Sequence, residues 1–455
     1  MGFKKSILRV FSANFLSVIS GIFISFIIPI ILPIEGYANL KTYTFYVSYI
    51  LILSLGFADG INYKYAGINE SSVNKSILKG EHTVYLISQI AFMVIFIYIS
   101  LTKKSIIMLL ISLSIVPINM SWFYKFYYQA IGNFKEYSRV SYIYTIIFFL
   151  MNVILVLKLK SNNYVHYCLA TIIAYGSVLL TYEIKFYNKL KNIKTYYNRC
   201  ILDNVRIGIF ILIGNLSTML FYALDRWFIK FFLNFDDFAF YSFAVSMVNV
   251  ISLLISSLSV TFYNYLSKNK NKEIIKEFKS YFIILGAISS GGFFVFAGII
   301  SLILDKYSEA LSIISILFVA YPYIIVINVL YVNLYKVRKK EKKYVEVVFT
   351  MIIISFIYNI IAIILFKNSE AIAVATSLAF ITWYIYSVKD FKYLNVDLKE
   401  IIYLCIVGTG FLFISHNLNW FLGGLSYLIL IIITTFIIYK KEIMKLIKII
   451  FKRSY

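Results

Sequence analysis

Residues 10–32 read VFSANFLSVISGIFISFIIPIIL, an uninterrupted apolar run with no charged residue. A stretch of about 20 apolar residues crosses the hydrocarbon core as a helix, because in lipid the backbone must satisfy its own hydrogen bonds. Stretches of the same kind recur at about 42–63, 83–102, 105–124, 138–157, 164–184, 207–229, 238–263, 281–304, 311–335, 345–366, 371–388, 401–416 and 420–439. They are numbered spans 1 to 14 in chain order. Of the 455 residues 61% are hydrophobic and only 14% are charged, against about 25% charged in soluble domains. The sequence therefore predicts an all-α integral membrane protein with about 14 transmembrane helices.

The net charge of +23 suggests a nucleic-acid partner only until its distribution is read. With Met1 in the cytoplasm, the inside loops and tails collect 35 of the 44 Lys and Arg, and the outside loops 8. That asymmetry is the positive-inside signature, and with an even number of spans it places both termini of a multi-pass membrane protein in the cytoplasm. The basic excess then serves topology and contact with anionic membrane lipids, and no nucleic acid is expected. Lys4, Lys5 and Arg9 precede an apolar segment too long for a signal peptide, so span 1 is expected to stay as a helix. Cys168, Cys200 and Cys405 are widely spaced and the three His are unpaired, which predicts neither a disulfide framework nor a metal site.

The two halves of the chain echo one another. YTFYVS at 43–48 matches YSFAVS at 241–246, and ANFLSVIS around Asn14 resembles GNLSTML around Asn215. Arg9 and Arg206 precede these two stretches. Pro117 in span 4 corresponds to Pro322 in span 10, and Tyr128 and Tyr137 bracket eight residues as Tyr335 and Tyr344 do. Six spans separate corresponding points, so both copies share one orientation in the membrane. The expected architecture is a six-helix bundle over 1–199, a second over 200–390, and two extra helices with a basic tail over 391–455. The bundles would be related by a pseudo-two-fold repeat around a central cavity, an arrangement suited to rocking transport.

Charges inside spans cost a few kcal/mol each and point to function. The sharpest pair is Asp225–Arg226, late in span 7. Two readings stand side by side: an interfacial ion pair beside Trp227, or a cavity wall where Arg226 grips phosphate oxygens bidentately and Asp225 holds it in the empty state. Span 2 ends in LGFADGINYKYAG, with Asp59 and Lys64 near the cytoplasmic mouth; this is either an ordinary span end with its cytoplasmic lysine or a basic entrance that Lys64 helps to form, and Gly56 and Gly60 allow close helix approach. Arg9 and Arg139, like Lys125 and Arg206, fall at inner span ends, where lipid anchoring and a cavity role compete. Asn14 and Asn215 stand at matching points of spans 1 and 7. Pro117 and Pro322 remove a backbone donor and are candidate gating kinks. No GxxxxGK[ST] loop, Ser–His–Asp grouping or large outer loop is present, so neither a catalytic residue nor a cofactor is expected.

LGFADGINYKYAG in span 2, FYYQAIGNFKEYS leaving span 4, IGNLSTMLFYALDRWFI in span 7 and FAFYSFAVSM entering span 8 resemble the oligosaccharide repeat-unit flippases of O-antigen and capsule synthesis. NLYKVRKKEKKY after span 10 and AIAVATSLAFITWYIY in span 12 do so as well. That family belongs to the multidrug/oligosaccharidyl-lipid/polysaccharide exporter superfamily. The resemblance implies movement of undecaprenyl-diphosphate-linked oligosaccharide between leaflets by alternating access, with Asp225 and Arg226 as cavity charges. It also implies a polysaccharide polymerase and a chain-length regulator as partners. Fourteen spans, where many such flippases have 12, match the related peptidoglycan-precursor flippases. An ion-coupled multidrug exporter of the same superfamily is the alternative, and a membrane-bound glycosyltransferase or polymerase a more distant one.

Overall fold

The computed structural model describes residues 3–197, 200–269 and 271–445. Arg199, Lys270 and the tail residues Lys448, Lys452 and Arg453 lie outside the described residues, as does the side chain of Cys200. Every regular element among the described residues is helical. Eleven helices are long and apolar enough to cross a membrane, and two bent pairs bring the number to 13. Phe235–Lys268, 34 residues long, occupies the position of span 8 and completes the predicted set.

The bends fall where one or two residues interrupt the helical ladder. Span 2 runs Ile34–Ser54 and then Phe57–Tyr65, turning by 58° at Leu55 and Gly56, both with positive φ. Span 7 is Cys200–Phe221 followed by Leu224–Phe232. Span 10 is Ala310–Phe318 followed by Tyr321–Val337, with a 49° bend. Pro322 stands in the first turn after that bend, where its missing N–H costs nothing. Pro117 lies inside the uninterrupted helix Ile106–Ala130, where Ser121 Oγ donates to its carbonyl at 2.6 Å.

The chain packs as two compact units, Met1–Leu216 and Ser217–Tyr455, and the division falls within span 7. In the first unit, span 1 packs on span 5, span 4 on spans 2, 3, 5 and 6, and span 5 on span 6. In the second, span 7 packs on span 11, span 10 on spans 8, 9, 11 and 12, and span 11 on span 12. Adding six to each span of the first set gives the second. The same set of contacts between spans thus recurs inside both units. Span 4 is the hub of its unit, with 61% of its apolar window buried against 17% for span 3.

One close crossing explains why the start of span 7 belongs to the first unit. Gly56 and Gly60 of span 2 face Gly208, and a Cβ on Gly208 would overlap the Gly56 carbonyl and lie 2.6 Å from Gly60 N. A Cβ on Gly60 would in turn strike the backbone of Asn204. Small residues permit such backbone approach between membrane helices. Gly208→Ala is expected to lower stability by about 1–3 kcal/mol, since the opposing atoms are backbone and cannot turn aside. Gly214→Ala, with nothing within 4 Å of the added Cβ, is the control expected to leave the melting temperature in detergent unchanged.

Candidate substrate cavity

A cavity of about 510 Å³ lies inside the second unit, bounded by spans 7, 8, 10 and 12. The break in span 7 forms one wall. After Phe221 the helix stops, Tyr222 and Ala223 turn, and Leu224 restarts a nine-residue helix carrying Asp225 and Arg226 in its first turn. Tyr222, Asp225, Arg226, Asn249, Asn328 and Lys336 supply the polar lining, and Phe221 and Phe380 much of the apolar surface. The cavity therefore offers two cations, one carboxylate, amides, hydroxyls and aromatic faces.

Asp225 is 6% exposed and fixed in place. Its Oδ1 accepts from the Arg226 backbone N–H at 2.6 Å, and Tyr241 O–H donates to Oδ2 at 2.8 Å. Tyr241 O–H also lies 3.4 Å from Thr376 Oγ1 of span 12. An acid in the first helical turn meets the positive end of the helix dipole, a further reason for its place. From the same break, Tyr222 O–H reaches span 10 and donates to Asn328 Oδ1 at 2.9 Å, and Ser259 Oγ donates to the Asn328 carbonyl at 2.9 Å. Asn328 sits in a widened turn, Val326–Tyr331, of the kind that often marks functional sites in helices.

Of the residues singled out in the sequence, the structure brings together Asp225 and Arg226; Asn249 and Asn328 also line the cavity. The others stand elsewhere. Asp59 and Lys64 belong to the short helix Phe57–Tyr65 of the first unit. There Lys64 Nζ donates to Glu81 Oε1 at 2.5 Å, Tyr65 O–H to Oε2 at 2.6 Å, and Asn204 Nδ2 to Oε1 at 2.8 Å. Lys64 is thus one donor to a wholly buried carboxylate that links spans 2, 3 and 7. Arg139 is exposed and pairs with Glu136 at 3.0 Å, three residues away. Asn14 and Asn215 present exposed side chains on spans 1 and 7. The Arg9 carbonyl accepts from Ser12 Oγ at 3.1 Å.

Sequence reasoning missed Tyr222, Tyr241, Thr376 and Lys336. Lys336 reads in the sequence as one more basic residue of the stretch KVRKKEKK after span 10, but the helix continues to Val337 and carries it to the cavity. Glu81 was missed because the stretch KGEHT before span 3 reads as an ordinary charged loop. A second buried cluster was also hidden: His82 Nε2 lies 3.0 Å from Glu183 Oε1, to which Tyr124 O–H donates at 2.5 Å. No group of three or more His, Cys, Asp or Glu arranged to hold a metal ion occurs among the described residues.

The fold has counterparts among solved structures. The chain superposes on the lipid II flippase MurJ in an inward-closed conformation with a TM-score of 0.67 and 14% identity, covering 96% of this chain and 100% of that one. It also superposes on a multidrug resistance MATE family transporter of the MOP superfamily. The inward-facing and outward-facing conformations of that transporter each give a TM-score of 0.52 at 12% identity, over 86% of this chain. They cover 98% and 96% of the respective transporter chains. No protein-family model and no curated protein sequence matches the chain. The protein is a multi-pass membrane protein that shares the all-helical fold of these solved structures.

Proposed function

We propose that this protein is a flippase for a lipid-linked oligosaccharide, of the kind used in O-antigen or capsule synthesis at the bacterial inner membrane. The observation that carries the reading is the cavity of the second unit, where Arg226 and Lys336 stand among aromatic and amide side chains. A diphosphate headgroup needs cations, and Arg binds phosphate oxygens through its planar fork. Sugar rings suit mixed hydrogen-bonding and aromatic walls. The lipid tail stays in the bilayer while the head crosses, as alternating access requires. On this reading the protein moves its substrate unchanged and is not an enzyme, both termini face the cytoplasm, and a polymerase and chain-length regulator act on the product. Asp59, Lys64, Arg9, Arg139, Asn14 and Asn215 are proposed to take secondary roles along the path, and Pro117 and Pro322 to serve its gating.

The test is a lipid extract from a strain lacking the protein. The reading expects the complete undecaprenyl-diphosphate oligosaccharide to accumulate and surface polysaccharide to be lost, both reversed by the gene. A truncated glycan would point to synthesis instead. The buried carboxylate of Asp225 in the same cavity favours a second reading, an ion-coupled exporter of cationic drugs. That reading expects raised drug resistance in an expressing strain and an unchanged glycan profile.

A further inference from the structure

The first unit contains a cavity of its own, about 140 Å³, bounded by spans 1, 4, 5 and 6. That is far above the roughly 10–15 Å³ that one water requires. Lys125 of span 4 lines it. Its Nζ lies 4.9 Å from the Trp122 ring centroid and 5.2 Å from that of Tyr137. No carboxylate pairs with it and no hydrogen bond is made by it among the described residues. The cavity is also lined by Ser141 and Thr145 of span 5. Thr145 is 2% exposed, and neither its Oγ1 nor the buried Ser141 Oγ finds a partner. Tyr144 and Tyr175, with ring centroids 4.1 Å apart, close another side.

Buried hydroxyls without partners, beside an uncompensated ammonium, are costly unless something else satisfies them. Lys offers three donors and no acceptor, and each hydroxyl has a proton to give. What the cavity lacks is an acceptor carrying negative charge. One cation sets that charge near one. The aromatic side chains of Trp122, Tyr144 and Tyr175 lower the local dielectric and so strengthen the attraction.

We propose that this cavity binds a monoanionic group, a carboxylate or a small inorganic anion, on Lys125, Ser141 and Thr145. If the occupant is a carboxylate it belongs to an acidic sugar of the transported head, an arm that rests on the flippase reading. Binding itself stands apart from that reading. Trp122, against the Lys125 ammonium, is a built-in reporter, because iodide quenches an indole that it touches.

The experiment titrates sodium iodide into the purified full-length protein in detergent, at ionic strength held constant with sodium sulfate. The expected result is a saturable part of the tryptophan quenching that is absent from Trp122→Phe. It is kept by Lys125→Arg and at least fivefold weaker in Lys125→Met. Displacement by sodium glucuronate, with glucose and sodium chloride inert, identifies the acidic-sugar arm. Displacement by sodium chloride identifies the inorganic-anion arm. If Lys125→Met does not fold, Ser141→Ala/Thr145→Val is expected to weaken the same phase with the ammonium intact. A wild-type iodide curve in the folded variants, or no displacement by either competitor, overturns the proposal. Accumulation of lipid-linked glycan in the deletion strain is unaffected by that outcome, so the two readings fail separately.

Discussion

Replacing Arg226 by Ala is expected to lower export of surface polysaccharide by about 10- to 100-fold while the protein stays in the membrane within twofold of its wild-type level. The magnitude follows from a hydrogen bond to a charged group, worth about 1.5–3 kcal/mol, with 1.4 kcal/mol per factor of ten. The fold is expected to survive because Asp225 keeps its other partners, its neighbour's backbone N–H and the Tyr241 hydroxyl. Arg226→Lys restores the charge without the planar fork, so it should recover only part of the rate. Quantitative blotting of surface glycan against protein level reads the effect. Wild-type glycan in Arg226→Ala would remove this side chain from the substrate's path.

The largest effect on stability is expected at Lys279 and Glu400. Lys279 is 2% exposed, its Nζ 2.8 Å from Glu400 Oε2 and 2.9 Å from Oε1, and it donates to the Leu394 carbonyl at 2.9 Å. Tyr384 O–H donates to the same carboxylate. The group thus fastens spans 9 and 12, the connector 389–397, and the start of span 13. Removing one partner leaves a buried charge with no counter-charge, a loss of about 3–5 kcal/mol. Lys279→Met and Glu400→Leu should each lower the melting temperature in detergent sharply, and the double variant should recover much of it. A pair that merely rests on the surface would show small, additive losses. If both single variants melt with the wild type, the two C-terminal helices are held by apolar packing alone.

The spans were legible because each is long and apolar, a signal spread over some twenty residues. The breaks were not, because Leu55–Gly56, Tyr222–Ala223 and Val319–Ala320 interrupt hydropathy not at all; each is decided by backbone torsion at one or two residues. Gly56 and Gly60 showed close approach in the sequence but not its partner, since Gly208 lies in a span that hydropathy alone cannot place beside span 2. The charge count, read for topology, hid chemistry. Lys279, Lys336 and Glu81 sit at span ends, where a charge facing solvent and a charge turned inward look alike. Asp225 and Arg226 stood out because a charged pair in an apolar run is rare. What brings them to the cavity is the break before them, together with Tyr241 and Thr376, from spans 8 and 12. Asn14 and Asn215 matched in the repeat, yet their side chains are exposed, because a repeat fixes position along a helix and leaves its facing to packing.

The central claim is leaflet transfer of a lipid-linked oligosaccharide through the cavity that holds Arg226, and reconstitution tests it most directly. Vesicles would carry the purified protein and a fluorescently tagged undecaprenyl-diphosphate oligosaccharide, with the tag on the sugar. A reductant that cannot cross the bilayer would then bleach the outer leaflet. The account predicts that wild-type vesicles lose the inner-leaflet signal as well, while empty and Arg226→Ala vesicles keep about half. Wild-type vesicles that also keep half of the signal, yet take up a cationic dye down an imposed ion gradient, would contradict the flippase and make the protein a drug exporter.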